Sequence, residues 1–220
     1  MSTAIVLVSG GLDSCVTAAI AARTHALAFL HLNYQQRTQE REYQAFCELA
    51  DHFAVEQRLV VDVGFMRQIG GSSLVDSSIP VPTNTESGVP NTYVPFRNAN
   101  LLGIGVAWAE AIGASTVWIG AHQEESAYPD CRSEFIEAYN RMVKQGTRPD
   151  TDIEVCAPLI ALDKAAIIAR GLDLQAPLNL TWSCYQSETL ACGRCASCRM
   201  RLGGFAAHGS TDPIPYIGEN

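Results

Sequence analysis

The stretch AIVLVSGGLDS at Ala4–Ser14 decides the fold of this 220-residue chain. Its first five residues form a continuous apolar run, which is typical of a parallel-sheet strand covered on both faces. The pair Gly10-Gly11 follows this run, and a helical pattern then continues to about Ala22. A glycine turn between a buried strand and a helix suits phosphate groups, because backbone amides and the helix N-terminus favour negative charge.

Strand-like and helix-like stretches alternate along the chain to about residue 170. The predicted strands are Ala26–Leu32, Arg58–Val63, Thr116–Gly120 and Ile153–Cys156, and the predicted helices are Thr38–Phe53, Asn98–Ile112, Cys131–Gln145 and Asp163–Arg170. This alternation predicts an α/β domain with a mostly parallel, Rossmann-like sheet. The intervening Gly70–Pro95 is rich in Gly, Ser, Pro, Thr and Asn, which indicates a functional loop or lid, or a disordered segment.

The composition argues against several classes of protein. The formal net charge is −8, which disfavours general binding to nucleic acid because phosphate-backbone affinity comes largely from Lys and Arg. The N-terminal stretch has no basic region before its apolar run, so a signal peptide is not expected. The longest apolar candidate, Leu101–Ala114, is shorter than the roughly 18 residues of a membrane span and contains Glu110. We therefore expect a cytoplasmic protein that binds neither membrane nor nucleic acid.

Four of the eight cysteines lie close together near the C-terminus. They are Cys184, Cys192, Cys195 and Cys198. Four thiolates with short Cys-x2-Cys spacings suit one tetrahedral zinc ion, and a site with no open position is structural rather than catalytic. An iron–sulfur cluster is the rival interpretation, and a zinc-ribbon nucleic-acid module also stays open. We divide the chain into a nucleotide-binding α/β domain, residues 1–179, and a zinc-binding segment, residues 180–220.

Three further segments carry residues suited to a ligand site. Arg97 closes the long loop and can grip a phosphate or carboxylate, although a solvated Arg beside an N-cap Asn98 explains the same residues. Tyr128 can stack on a heterocycle and Asp130 can accept two hydrogen bonds from a guanine-like edge, but Asp130 also suits a helix cap. Lys164 can reach phosphates or be a surface lysine.

The string SGGLDS at Ser9–Ser14 resembles the PP-loop of the ATP pyrophosphatase superfamily. The resemblance implies an adenine nucleotide alpha hydrolase-like fold and cleavage of ATP between the α and β phosphates. A Walker A loop is excluded, since that loop ends in Gly-Lys-Ser/Thr.

Six segments occur in the order found in the 7-cyano-7-deazaguanine synthase family, and the resemblance runs essentially end to end. The segments are SGGLDS, NTYVPFRN at Asn91–Asn98, YPDCR at Tyr128–Arg132, LTWSCY at Leu180–Tyr185, CGRCASCR at Cys192–Arg199 and DPIPY at Asp212–Tyr216. The resemblance implies a ligase that converts 7-carboxy-7-deazaguanine and ammonia to a nitrile through adenylated acid and amide. It also implies ATP with Mg2+, one structural Zn2+ per chain, and a homodimer.

Family roles are carried over to positions of this sequence. The expected nucleotide-binding residues are Val8, Ser9, Gly10, Gly11, Leu12, Asp13 and Ser14, and the expected zinc ligands are the four clustered cysteines. To these we add, as our own inference, the substrate-binding residues Arg97, Tyr128, Asp130 and Arg132, and the catalytic residues Asp13, Ser14, Arg97, Asp130 and Lys164.

The sequence departs from the family pattern at two places near the expected pocket. Residues 121–127 read AHQEESA, one residue shorter than the usual Asp-aromatic-Ser-Gly run, and Phe96 stands where Gly is more usual. These departures leave open an enzyme acting on another deazaguanine substrate. An adenylating PP-loop enzyme that modifies tRNA is a second alternative, although it would need more basic surface than this chain offers. A non-catalytic zinc module is a third, but it leaves SGGLDS unexplained.

Overall fold

A five-stranded parallel sheet forms the centre of the molecule. The computed structural model describes residues 1–81, 88–122 and 128–218. The strands are β1 (Thr3–Leu7), β2 (Ala26–Asn33), β3 (Gln57–Asp62), β4 (Thr116–Trp118) and β5 (Glu154–Cys156). Their order is β3-β2-β1-β4-β5, and every neighbouring pair is parallel. This arrangement confirms the predicted α/β class, and each predicted strand agrees with the observed one to within two residues.

Helices cover both faces of the sheet. They are α1 (Leu12–Ala21), α2 (Gln39–His52), α3 (Phe65–Ile69), α4 (Arg97–Ile112), α5 (Ser133–Gly146), α6 (Lys164–Asp173) and α7 (Ala196–His208). Alternate residues of β1 enter opposite cores, as the pleat of a strand requires: Ile5 packs with residues of α4 and α5, and Val6 with residues of α1, α2, α6 and α7. Burial on both faces explains the continuous apolar run that opens the chain.

Two helices were missed by the sequence reasoning. The short α3 lies before the long loop, and α7 lies in the C-terminal segment where no periodicity was recognised. Helix α7 buries Arg201 and Gly204 at positions where an amphipathic helix usually has apolar side chains. The apolar periodicity by which a helix is recognised in a sequence is therefore weak in α7. Gly204 lets α7 approach α6, since a Cβ there would lie 2.5 Å from Lys164 Cγ. The described parts of Gly70–Pro95, up to 81 and from 88, contain no helix or strand.

Two side chains at the centre of the C-terminal segment form a buried ion pair. Arg201 and Asp212 are each 2% exposed, and Arg201 Nε and Nη2 donate to the two oxygens of Asp212 at 2.7 and 2.9 Å. Arg201 also donates to Thr181 Oγ1 and to the Leu178 carbonyl oxygen, at 2.7 and 3.1 Å. The guanidinium thereby fastens α7 to the chain that follows α6.

The division into residues 1–179 and 180–220 stays a prediction.

Candidate active site and metal centre

A cavity of about 370 Å³ opens beside the C-terminal ends of β1 and β4. Open parallel sheets bind ligands at this edge, where the connections from adjacent strands turn in opposite directions. The cavity wall includes the loop after β1, the start of α1, the end of β4, the start of α4 and residues of the C-terminal segment. Chain segments far apart in sequence therefore meet at the predicted phosphate loop.

The first turn of helix α1 lines the cavity and has backbone amides without intrahelical acceptors. Helix α1 begins at Leu12, and its cap residue Gly11 makes no side-chain capping hydrogen bond. The first backbone bond of the helix runs from Cys15 N to Gly11 O at 3.1 Å. The amides of residues 12–14 therefore lack acceptors within the helix, and together with the helix dipole they favour an anion.

Hydroxyl groups hold the loop in shape. Ser14 Oγ donates to the Gly11 carbonyl oxygen at 2.9 Å, and Gly11 N donates to Ser9 Oγ at 3.2 Å. Gly10 has a φ of +85°, and a Cβ at this position would lie 2.5 Å from the backbone oxygen of Glu42. Both the left-handed conformation and the close approach require glycine.

We expect Gly10→Ala to abolish nucleotide binding or unfold the loop, because the added methyl must displace helix α2. The matched control is Gly203→Ala, a helical glycine with no neighbour within 4 Å of an added Cβ. Replacing that glycine should be neutral or stabilising by about 0.5–1 kcal/mol. Isothermal titration with a non-hydrolysable ATP analogue, together with thermal unfolding, measures both effects. Wild-type nucleotide affinity in Gly10→Ala would contradict the assignment of this loop.

Asp13 and Lys164 form an ion pair inside the cavity. Lys164 Nζ lies 2.7 and 2.9 Å from the two carboxylate oxygens of Asp13, and 3.2 Å from His122 Nε2. Burial alone would raise the pKa of Asp13, but the positive charge of Lys164 and the hydrogen bond with His122 hold it well below its usual range. Asp13 is therefore a carboxylate, and Lys164, only 6% exposed, is a pocket residue rather than a surface lysine.

His122 joins this cluster from the end of β4. Its Nδ1 is buried and has no hydrogen-bond partner among the described residues. The predicted departure at 121–127 falls mostly on residues 123–127, which lie outside the described part of the chain.

Arg97 and Tyr128, two of the residues predicted to bind the substrate, line the cavity. Arg97 donates to the hydroxyl of Tyr34 at 3.2 Å, and its guanidinium carbon lies 5.5 Å from the centre of that ring. The hydroxyls of Tyr128 and Thr92 are 2.6 Å apart. An arginine with an aromatic face and two tyrosines offers a surface for a flat anionic molecule.

Asp130 and Arg132 are not part of the cavity wall that the described residues form. Asp130 is 3% exposed, and its Oδ2 accepts the backbone amide of Asn98 at 2.9 Å. The carboxylate thus satisfies an amide at the start of α4, beside Arg97. Asn98 is inside α4 rather than at its cap, and Arg132 is an exposed residue just before α5.

Phe96, where related sequences more usually have glycine, adopts a left-handed conformation with φ +55° and ψ +28°. Glycine adopts this conformation without strain, whereas a bulky residue does so at a cost. The amide of Phe96 donates to Tyr93 Oη at 2.8 Å, and its ring lies edge-on to Phe135. Its side chain is 62% exposed and does not line the cavity.

Several residues of the cavity wall were not predicted from the sequence, and three of them carry polar groups suited to a ligand. They are Tyr34, Glu42 and Tyr185. Glu42 accepts hydrogen bonds from Gln36 Nε2 and Thr38 Oγ1, each at 2.9 Å. The sequence marks Glu42 only as an acidic residue in the first turn of a helix, and acidic residues are common there.

The four predicted metal ligands come together in the C-terminal segment. The sulfur atoms of Cys184, Cys192, Cys195 and Cys198 all lie within 4.8 Å of one another, and those of Cys192 and Cys198 are 3.9 Å apart. Ligands about 2.3 Å from a tetrahedral zinc ion are separated by roughly 3.8 Å, so small side-chain adjustments suffice to hold one ion.

Hydrogen bonds to the sulfurs also fit a metal site. Cys184 Sγ accepts the amides of Gln186 and Cys192, both at 3.4 Å, and Cys192 Sγ accepts the amide of Cys195 at 3.3 Å. Amide donors of this kind stabilise thiolate ligands. All eight cysteines are free of disulfide bonds. Gly193 curls the chain between ligands with a φ of +68°.

No helix in the described part of the chain has the length and apolar character to cross a bilayer.

Comparisons with known proteins place these features in a family. A family model described as queuosine biosynthesis protein QueC matches residues 3–209. The chain is 50% identical over 218 residues to the 7-cyano-7-deazaguanine synthase of Chlorobaculum parvum, covering 97% of this chain and 96% of that protein. It is 51% identical over 220 residues to the 7-cyano-7-deazaguanine synthase of Koribacter versatilis, covering 97% and 92%.

A solved structure shares the fold at low sequence identity. It is a predicted subunit of tRNA methyltransferase from Methanocaldococcus jannaschii, with a TM-score of 0.50 and 13% identity over 77% of this chain and 73% of that one.

Proposed function

Since this chain belongs to the queuosine biosynthesis protein QueC family, we propose that it converts 7-carboxy-7-deazaguanine and ammonia to 7-cyano-7-deazaguanine, using ATP. The single observation that carries the proposal is the near full-length likeness to synthases of that name. The cavity supports it, because an anion-binding loop and a buried cation adjoin a wall of tyrosines and one arginine.

The reaction consists of two activations. In the first, a carboxylate oxygen of the substrate attacks the α-phosphorus of ATP and pyrophosphate leaves. Ammonia then attacks the acyl carbon, AMP leaves with the oxygen, and a proton is released to give the amide. In the second, the amide oxygen attacks the α-phosphorus of another ATP, and a second pyrophosphate leaves. Loss of AMP, together with both remaining protons on nitrogen, leaves the carbon–nitrogen triple bond.

The loop residues Val8–Ser14 are proposed to hold the β- and γ-phosphates of ATP. Amides at the start of α1 and the ammonium group of Lys164 neutralise charge that builds up on the departing pyrophosphate. Asp13 is proposed to bind both Lys164 and the Mg2+ ion that accompanies ATP. The ion would screen the negative charge of the phosphates. Ser14 Oγ keeps the loop in register through its bond to Gly11 O.

Arg97 and Tyr128 are proposed to bind the deazaguanine substrate, the first through charge and hydrogen bonds and the second through its ring. Asp130 is proposed as a positioning residue, because its carboxylate holds the first turn of α4 from which Arg97 projects. For Arg132, an exposed residue, no contact among the described residues explains the predicted substrate-binding role.

The four clustered cysteines are proposed to bind one structural Zn2+ per chain. Zinc supplies no redox chemistry here; when bound, it cross-links a segment with a small core of its own. Elemental analysis together with the visible spectrum tests this assignment, since an iron–sulfur cluster is coloured and zinc is not. We also propose that the protein is a cytoplasmic homodimer that uses ammonia as its second substrate.

The deciding experiment is mass spectrometry of the product from 7-carboxy-7-deazaguanine, ammonium and MgATP. We expect the nitrile, with two AMP formed per nitrile and no ADP. A product that stops at the amide would limit the enzyme to the first activation, and ADP formation would contradict the proposed phosphate site. Binding of tRNA in a gel shift would favour the alternative of a tRNA-modifying enzyme.

A further inference from the structure

Glu42 occupies a fixed position in the cavity wall. It lies in the first turns of α2, where Thr38 Oγ1 donates to Oε1 and Gln36 Nε2 donates to Oε2, each at 2.9 Å. Its backbone oxygen lies against Gly10, which leaves no room for a Cβ at that glycine. Each carboxylate oxygen has a protein donor on one side and keeps a lone pair for a second donor.

The surroundings of Glu42 leave its charge only partly compensated. Burial raises the pKa of Glu42 to about 6, against the hydrogen bonds from Gln36 and Thr38 and the positive charge of Arg97. The carboxylate of Glu188 raises it further. A carboxylate in such a place gains from additional hydrogen-bond donors supplied by a ligand.

The rest of this end of the cavity suits a flat ring. Tyr34, Tyr128 and Tyr185 line it, and all three interact electrostatically with Arg97. Burial raises the pKa of Tyr34 to about 12, so its hydroxyl stays protonated. Neutral aromatic walls with one acidic group select a planar molecule that carries N–H donors on one edge.

We propose that Glu42 accepts the ring N–H and the exocyclic amino group on the pyrimidine edge of the deazaguanine substrate. The inference rests on the proposed function and adds the residue that selects a guanine-type base. Two adjacent donors match the two oxygens of one carboxylate, and each bond is charge-assisted. The five-membered ring, which carries the substrate carboxylate, then points away from Glu42.

Asp130, which the sequence suggested for this role, is less suited to it. Its carboxylate accepts the Asn98 amide and lies outside the cavity wall formed by the described residues. Glu42 lines the cavity, so the acceptor for the guanine edge is assigned to α2 rather than to the segment before α5.

The test compares the affinities of two ligands for the same protein, and repeats the comparison in each variant. Affinities for 7-carboxy-7-deazaguanine and for 7-carboxy-7-deazahypoxanthine, which lacks the exocyclic amino group, are measured by calorimetry for wild type, Glu42→Gln and Glu40→Gln. We expect wild type to prefer the amino-bearing ligand by roughly 10- to 100-fold, and Glu42→Gln to lose most of that preference. Glu40, exposed on the same helix, serves as the matched control and should keep it.

The ratio of affinities does not depend on how much of a variant is folded, so partial unfolding cannot imitate the expected result. ATP affinity of Glu42→Gln should match wild type. Retained preference in Glu42→Gln would overturn the inference while leaving the proposed function in place. Failure of wild type to bind 7-carboxy-7-deazaguanine would overturn both.

A pH series gives a second readout that a purely structural role would not change. The charged and titratable groups that act on Glu42 are Arg97, Glu188 and Tyr34. Protonation of Glu42 removes its capacity to accept two hydrogen bonds. The wild-type preference for the amino-bearing ligand should therefore decline as the pH falls through about 6. In Glu42→Gln the preference should be flat over this range, and an equal decline in both proteins would contradict the assignment.

Discussion

Replacing Lys164 by methionine is expected to lower the rate of AMP formation by roughly 10²- to 10³-fold. The ammonium group lies against Asp13 at the N-terminus of α1, where the proposed pyrophosphate leaving group accumulates charge. Losing one preorganised positive group in a water-poor site typically costs about this much in rate. Methionine retains much of the aliphatic chain that packs against Gly204, so α6 and α7 stay in contact. Quantifying AMP by chromatography under saturating ATP measures the effect.

Lys164→Met also leaves the Asp13 carboxylate without its cation. Removing one partner of a buried ion pair lowers the free energy of unfolding by about 3–5 kcal/mol. The double variant Asp13→Asn with Lys164→Met removes both charges and serves as the control. Its thermal stability should recover much of the loss, while its activity should stay low. Recovery of activity together with stability would mean that the pair is only structural.

Replacing Cys195 by serine is expected to yield protein that is metal-free and either insoluble or unfolded in its C-terminal segment. Cys195 is completely buried among the other three ligands. A structural zinc ion contributes about 10–16 kcal/mol to small metal-dependent folds, which is comparable to the whole stability of a domain. Metal content by elemental analysis and solubility after expression measure the outcome.

The matched control for Cys195→Ser is Cys47→Ser, a half-buried cysteine on α2 outside the cluster. That variant should keep wild-type metal content and melt near the wild-type temperature. Full metal occupancy and normal melting in Cys195→Ser would exclude a four-cysteine site.

The sheet was predictable because its signals are local. β1 carries an unbroken apolar run, and the glycines after it mark the turn into α1. The cysteine cluster was predictable for the same reason, as its ligand spacings are short in sequence. Helix α7 was not, because its buried side is built around Arg201, whose ion pair with Asp212 is a tertiary contact without a periodic pattern.

The walls of the cavity were only partly predictable. Arg97 and Tyr128 lie in distinctive segments at the carboxyl edge of the sheet, where ligand residues are expected. Glu42 comes from the first turn of an ordinary amphipathic helix, and its backbone oxygen lies against Gly10, so that α2 packs closely on the phosphate loop. Asp130 has a chemically suitable carboxylate, but it does not line the cavity that the described residues form.

A backbone hydrogen bond connects the phosphate loop to the segment that holds the four clustered cysteines. Trp182 N donates to the carbonyl oxygen of Gly10 at 2.8 Å, and Trp182 shares a buried cluster with Cys184, Cys195 and Cys198. The nucleotide cradle is therefore complete only when the segment that holds the four clustered cysteines has folded against the loop. We expect removal of the proposed zinc ion to weaken nucleotide binding as well as to unfold this segment.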